Sequence, residues 1–198
     1  MKPAVKVLLV ALAAGTLGVI AGLWSEGPGV LLQSELGQRA LNGALSASAP
    51  APPADLAVAE RGALVPTMQL PDLQGRPVMV PGAYAGRPLL INVWASWCGP
   101  CIKEMPELDR FAASQGGDGV QVIGIALDQP EAIRAFLHHT PVRYPILVDT
   151  PGPRDSAVRL GNPAGVLPYT VLVDADGRLL KQKIGPFEHG EIDGWAAP

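Results

Sequence analysis

The segment PLLINVWAS (88–96) runs straight into WCGPC (97–101), and this join limits the possible folds more than any other feature of the chain. A continuous apolar strand is the mark of a strand covered on both faces, which calls for a sheet with other elements packed on each side. Directly after it, Ile102, Met105, Leu108 and Phe111 fall on one stripe at helical spacing, which predicts a helix from about Cys98 to Ser114. The turn between strand and helix holds Cys98 and Cys101, the only two cysteines among 198 residues.

The rest of the pattern agrees with an α/β chain. Further buried strands are read at VQVIGIAL (120–127) and YPILVD (144–149). Helices are read at PEAIRAFLHH (130–139), with Pro130 in its first turn and Ile133, Phe136 and Leu137 inward, and at RDSAVRLG (154–161), stopped by Gly161. Residues 67–80 read as a hairpin around Asp72-Leu73-Gln74-Gly75, and residues 168–185 as a second one closed at Asp176-Gly177. Strands alternating with helices predict parallel crossovers, with an antiparallel pair at the end.

Three regions follow. Residues 1–24 hold Lys2 and Lys6 ahead of an uncharged run from Val7 to Trp24, just long enough to span a bilayer. The flanking charges place the N-terminus inside and the remainder outside. An uncleaved anchor is favoured over a cleaved signal, because no small-residue cleavage site follows the run at the right distance. Residues 25–59, rich in Ala, Pro, Gly and Ser, read as an unstructured tether. Residues 60–198 form the folded domain, whose glycine-rich end (187–198) is expected to fray or stop early. A formal net charge of −3 supplies no basic field for phosphate backbones, so nucleic acid is excluded as a partner.

Two cysteines do not make a disulfide scaffold. At a helix start, Cys98 faces unsatisfied backbone N–H groups and the positive end of the helix dipole, which favour a thiolate and predict a lowered pKa. Cys101, one turn on, points back toward the same sulfur. Pro100 sets the turn and Gly99 tolerates close approach of another chain. Zinc would need further ligands, and His138, His139 and His189 stand at no ligand spacing from the pair. The pair therefore reads as a reversible dithiol that needs no metal or cofactor, and the histidines as surface residues.

NVWASWCGPC (92–101), with Pro106 five residues after Cys101 and GVLPYTVLVDADGRL (165–179) downstream, resembles the thioredoxin superfamily. Within it, the chain is similar to membrane-tethered, extracytoplasmic TlpA/ResA-like thiol-disulfide oxidoreductases. The resemblance implies a thioredoxin-like fold with an N-terminal β-hairpin and a central β-α insertion. It implies a cis bond before Pro168, with the backbone of Leu167 exposed to pair with an extended substrate and Pro168 guarding the thiols from metal. Trp97 would offer apolar surface beside Cys98, and Trp94 belongs to the core. Glu104 matches a glutamate of the ResA-like group and would accept the proton of Cys101, a task that Asn92 on the strand cannot perform. Glu107 and Lys103 carry no such argument and are read as exposed.

The functional expectation is an anchored reductase of protein disulfides in exported proteins, in the periplasm or its extracytoplasmic equivalent, using Cys98 and Cys101 and fed by a membrane thiol donor of DsbD/CcdA type that the resemblance implies. Competing readings are an oxidase that installs disulfides, a reductant dedicated to cytochrome c maturation, and a binding module that uses the groove at Leu167 and Pro168 without chemistry.

Overall fold

The structure, a computed structural model, describes residues 34–197. The Val7–Trp24 run lies outside the described residues; among those described, no helix is long and apolar enough to cross a membrane. The first element is helix α1 (Glu35–Ser48), where the sequence favours an unstructured tether. Leu, Ala, Gln and Arg are good helix formers, and Ser34 caps the helix by accepting the amide of Gly37 through its hydroxyl. The chain divides into a unit ending at Leu41 and a compact unit, Asn42–Pro198, described next by itself.

A hairpin of β1 (Met68–Pro71) and β2 (Pro77–Val80) precedes a five-stranded sheet. The sheet strands are β3 (Leu89–Trp94), β4 (Gln121–Leu127), β5 (Ile146–Asp149), β6 (Tyr169–Val173) and β7 (Leu179–Ile184), in the order β5-β4-β3-β6-β7. The β3–β4 and β4–β5 pairs are parallel, whereas β6 lies antiparallel to both β3 and β7. Helices α2 (Gly99–Ser114) and α3 (Pro130–His139) are the crossovers of the parallel strands; α4 (Ser156–Arg159) and α5 (Glu191–Trp195) are short.

Every residue of β3 is buried, as expected of a strand covered on both faces, and Asn92 is its one polar side chain. Leu90 and Trp94 join Met105, Leu108 and Phe111 of α2 and Ile133 of α3 in one core, against which Phe136 and Leu137 also pack. Two glycines allow the arrangement. Gly177 closes the β6–β7 turn at φ 87°, a conformation other residues resist. In β4, a Cβ at Gly124 would lie 2.7 Å from Ile146 and 3.0 Å from Trp94 Nε1, so its bare backbone makes room for the indole.

Two expectations need correction. The packed region reaches back into the tether, since Ala59 is buried and donates its amide to Arg159 O. The C-terminal segment does not fray: Phe187, Ile192 and Ala196 are buried, because this short stretch supplies apolar cover for α2 that its glycine content conceals.

Candidate active site

The site is built where β3 ends. Ser96 Oγ donates to Asp128 Oδ2 just past β4, which pins the turn between strand and helix. Cys98 then takes the N-cap position of α2 in an extended conformation, with Pro100 in the first turn. The Cys98 carbonyl receives the first helical amide, that of Ile102, at 3.1 Å. Its Sγ accepts the amide of Cys101 at 3.3 Å, so the sulfur stands where an N-cap oxygen ordinarily does. Cys98 and Cys101 are joined by a disulfide and both are buried.

Around the bridge, Gly99 and Pro100 are exposed, and Trp97 is 69 % exposed despite its size. Leu167 is half-buried and packs against the same core cluster as the two cysteines. The Leu167–Pro168 peptide is cis, as is Val80–Pro81. Pro168 itself is buried, and its carbonyl accepts the amide of Gly185. The loop leading to Leu167 is held by Asn162, which is buried, donates Nδ2 to Val166 O at 2.9 Å and accepts the amide of Gly165. Nothing in the sequence pattern singles out Asn162.

Glu104 lies one turn beyond Cys101 on the inner side of α2 and is 1 % exposed. Asn92 Nδ2 donates to its Oε1 at 2.8 Å and the amide of Phe187 to its Oε2 at 2.9 Å. Burial pushes the carboxyl up from 4.5 to about 7, against the pull of those two hydrogen bonds and of Lys183. It is thus close to half-protonated at neutral pH. Asn92, which cannot take a proton, orients the group that can, and also donates to Thr170 Oγ1 at 3.0 Å.

Lys103 is exposed as read, but Glu107 is buried. The segment after β7 folds over it, with the Gly190 amide donating to its Oε1 and the His189 ring 3.1 Å from its Oε2. Arg110 grips both oxygens at 3.0 and 2.6 Å and, ahead of every other influence, holds the carboxyl down to about 2. Lys183, 2 % exposed and paired with Glu191 at 2.7 Å, was also hidden from sequence reasoning. Strand alternation gives no signal for it, because a register shift in β7 between Leu179 and Lys181 sets the buried Leu179 on the opposite face from Lys183.

Residues 60–195 match the Redoxin family model. The chain belongs to the Redoxin family. This redoxin is 29 % identical over 132 residues to thiol-disulfide oxidoreductase ResA of Geobacillus thermodenitrificans, covering 66 % of this chain and 73 % of that protein. It is 26 % identical over 135 residues to ResA of Bacillus thuringiensis, covering 68 % and 75 %. A thioredoxin-related protein from Neisseria meningitidis serogroup B shares its fold with a TM-score of 0.55 at 33 % identity, over 63 % of this chain and 93 % of that one. The redoxin is therefore a ResA-like member of the thioredoxin superfamily, and its Cys98–Cys101 pair is that of a thiol-disulfide oxidoreductase.

Proposed function

We propose that the redoxin works as a reductant of disulfides in exported proteins. The observation that carries this reading is Cys98 Sγ at the N-cap of α2, taking the Cys101 amide, with a buried carboxyl one turn behind. In the reduced form that amide and the helix dipole favour a thiolate at Cys98. The thiolate attacks a substrate disulfide, forming a mixed disulfide and releasing one substrate thiolate, which takes up a proton. Cys101 then passes its proton to Glu104 and attacks Cys98 Sγ. The second substrate thiolate leaves and is protonated, so two electrons have passed from the Cys98/Cys101 dithiol to the substrate. Trp97, Gly99 and Pro100 form the exposed rim on which the substrate rests, and the backbone of Leu167 beside Pro168 pairs with it.

The cycle uses only the two cysteines and closes when a membrane dithiol donor of DsbD/CcdA type reduces the bridge again. Lys2 and Lys6 ahead of the uncharged Val7–Trp24 run support an N-terminal anchor with the redoxin domain outside the cytoplasm, in the periplasm where there is one.

The deciding experiment is the reduction potential of the full-length protein in detergent, with Cys98→Ser as control. A value at or below about −220 mV, toward that of thioredoxin near −270 mV, supports reduction; a value near −120 mV reverses the direction of electron flow. Comparing an oxidised Cys-x-x-Cys-His peptide, the haem-attachment pattern of c-type cytochromes, with an unrelated disulfide peptide tests whether cytochrome c maturation is the specific task.

A further inference from the structure

Lys183 is an ammonium in the core of a small domain, where an apolar residue of similar size would avoid the cost of desolvation. Its position gives it a use. Asn92 is in register with Thr170 across β3 and β6, and Thr170 with Lys183 across β6 and β7. The three side chains therefore form one row on a single sheet face. All three are buried.

Glu104 closes the row at one end through the Asn92 amide, and Glu191 of α5 closes it at the other through Lys183 Nζ at 2.7 Å. A second path joins the same ends. Phe187 donates its amide to Glu104, and its ring lies 5.1 Å from the Lys183 ammonium.

We propose that Lys183 and Glu191 are a positioning pair that sets the pH at which Glu104 gives up its proton, the lysine drawing the proton off and the glutamate holding it on. The inference rests on the reading above, in which Glu104 receives the Cys101 proton. Lys183 and Glu191 are the charged groups that act on the Glu104 carboxyl, with opposite signs. Burial first, and then that carboxylate, keep the Tyr144 phenol protonated through the neutral range. Glu107 is neutralised locally by Arg110, while Lys103 and Glu188, which line the groove beside Glu104, are exposed to solvent.

The signs make the test. Lys183→Met leaves Glu191 unopposed, and Glu104 then keeps its proton to higher pH. Glu191→Gln keeps an oxygen for the lysine but removes the negative charge, so Glu104 loses its proton at lower pH. Lys183→Arg restores the wild-type value. The readout is the Glu104 carboxyl resonance in full-length protein labelled with 13C-glutamate, assigned by its disappearance in Glu104→Gln and followed from pH 4 to 10. Displacements of about half a pH unit or more in opposite directions are expected. If the two are purely structural residues, both variants admit water and both midpoints move down; that result, or none, overturns the proposal. Should Lys183→Met fail to fold, Lys183→Gln, whose amide can still donate to Glu191, takes its place: its midpoint is expected to rise, and a fall or no change overturns the proposal.

The pH profile of mixed-disulfide resolution, measured on the same variants, separates this inference from the one beneath it. Midpoints that split while the rate profile stays fixed uphold the pair and remove Glu104 from the proton transfer. A rate profile that moves without any split in the midpoints overturns the pair.

Discussion

Glu104 and Glu107 stand one turn apart on α2, both buried, and their carboxyls are driven in opposite directions, to about 7 and about 2. The difference lies in what faces them. Glu104 turns toward the sheet and the start of the C-terminal segment, where its direct partners are the neutral amides of Asn92 and Phe187. Glu107 turns toward the C-terminal segment and Arg110, whose planar guanidinium reaches both of its oxygens. Neutral donors do not offset the loss of water around a carboxylate; a charged fork does. One helix thus carries a group able to exchange a proton near neutrality beside one that is permanently ionised. The first adjoins the cysteines, and the second ties α2 to the chain end through Arg110 and Asp193.

The largest effect is expected from removing the burial that sets Glu104 apart. Met105 is fully buried on the inner side of α2, and Met105→Ala should cost about 2–5 kcal/mol in denaturant unfolding. Water admitted by the cavity should bring the Glu104 carboxyl back toward 4.5. A loss of stability without that fall would show that something other than burial raises it.

Glu104→Gln sharpens the comparison through pH. A carboxyl raised from 4.5 to about 7 means that the folded protein keeps a proton which the unfolded chain releases. Its contribution to stability is complete below pH 4.5 and is lost as pH rises through 7, by about 3 kcal/mol at most. The variant has no such loss, so its stability relative to wild type should improve by up to that amount between pH 4 and pH 8. At pH 7 its resolution of the mixed disulfide should be slower by about 100-fold. A pH-independent stability difference would refute the raised carboxyl.

The smallest effect belongs to Arg110→Met. Because the pair is partly solvated, the loss of stability at pH 7 should be the smallest of the three in denaturant unfolding. The depressed carboxyl of Glu107 contributes stability above pH 4.5 that is lost as pH falls through about 2; with the carboxyl released toward 4.5 the variant has less of it to lose, so its stability should fall less steeply than that of wild type between pH 4.5 and 2. An unchanged acid limb would assign the holding of Glu107 to Gly190 and His189 instead.

Much of the fold was legible because it depends on neighbours in the chain. The helix at 130–139, the hairpin around Asp72–Gly75 and the β6–β7 turn at Gly177 follow from periodicity and turn chemistry that act over a few residues. Glu107 and the C-terminal segment were misread for one shared reason. Their burial depends on Gly190 and His189 meeting α2 from more than 80 positions away, and a glycine-rich stretch carries no periodic mark of where it will pack.

The sequence by itself determined that a buried strand delivers Cys98 to the first turn of a helix with Cys101 one turn on, since strand run, Pro100 and helical stripe are all local. Only the tertiary structure decided which carboxylate becomes a proton carrier. Asn92, Glu104, Thr170, Lys183 and Glu191 come together through strand register and helix packing, and the electrostatics of a buried group depend on that distant company and on the exclusion of water rather than on its neighbours in sequence.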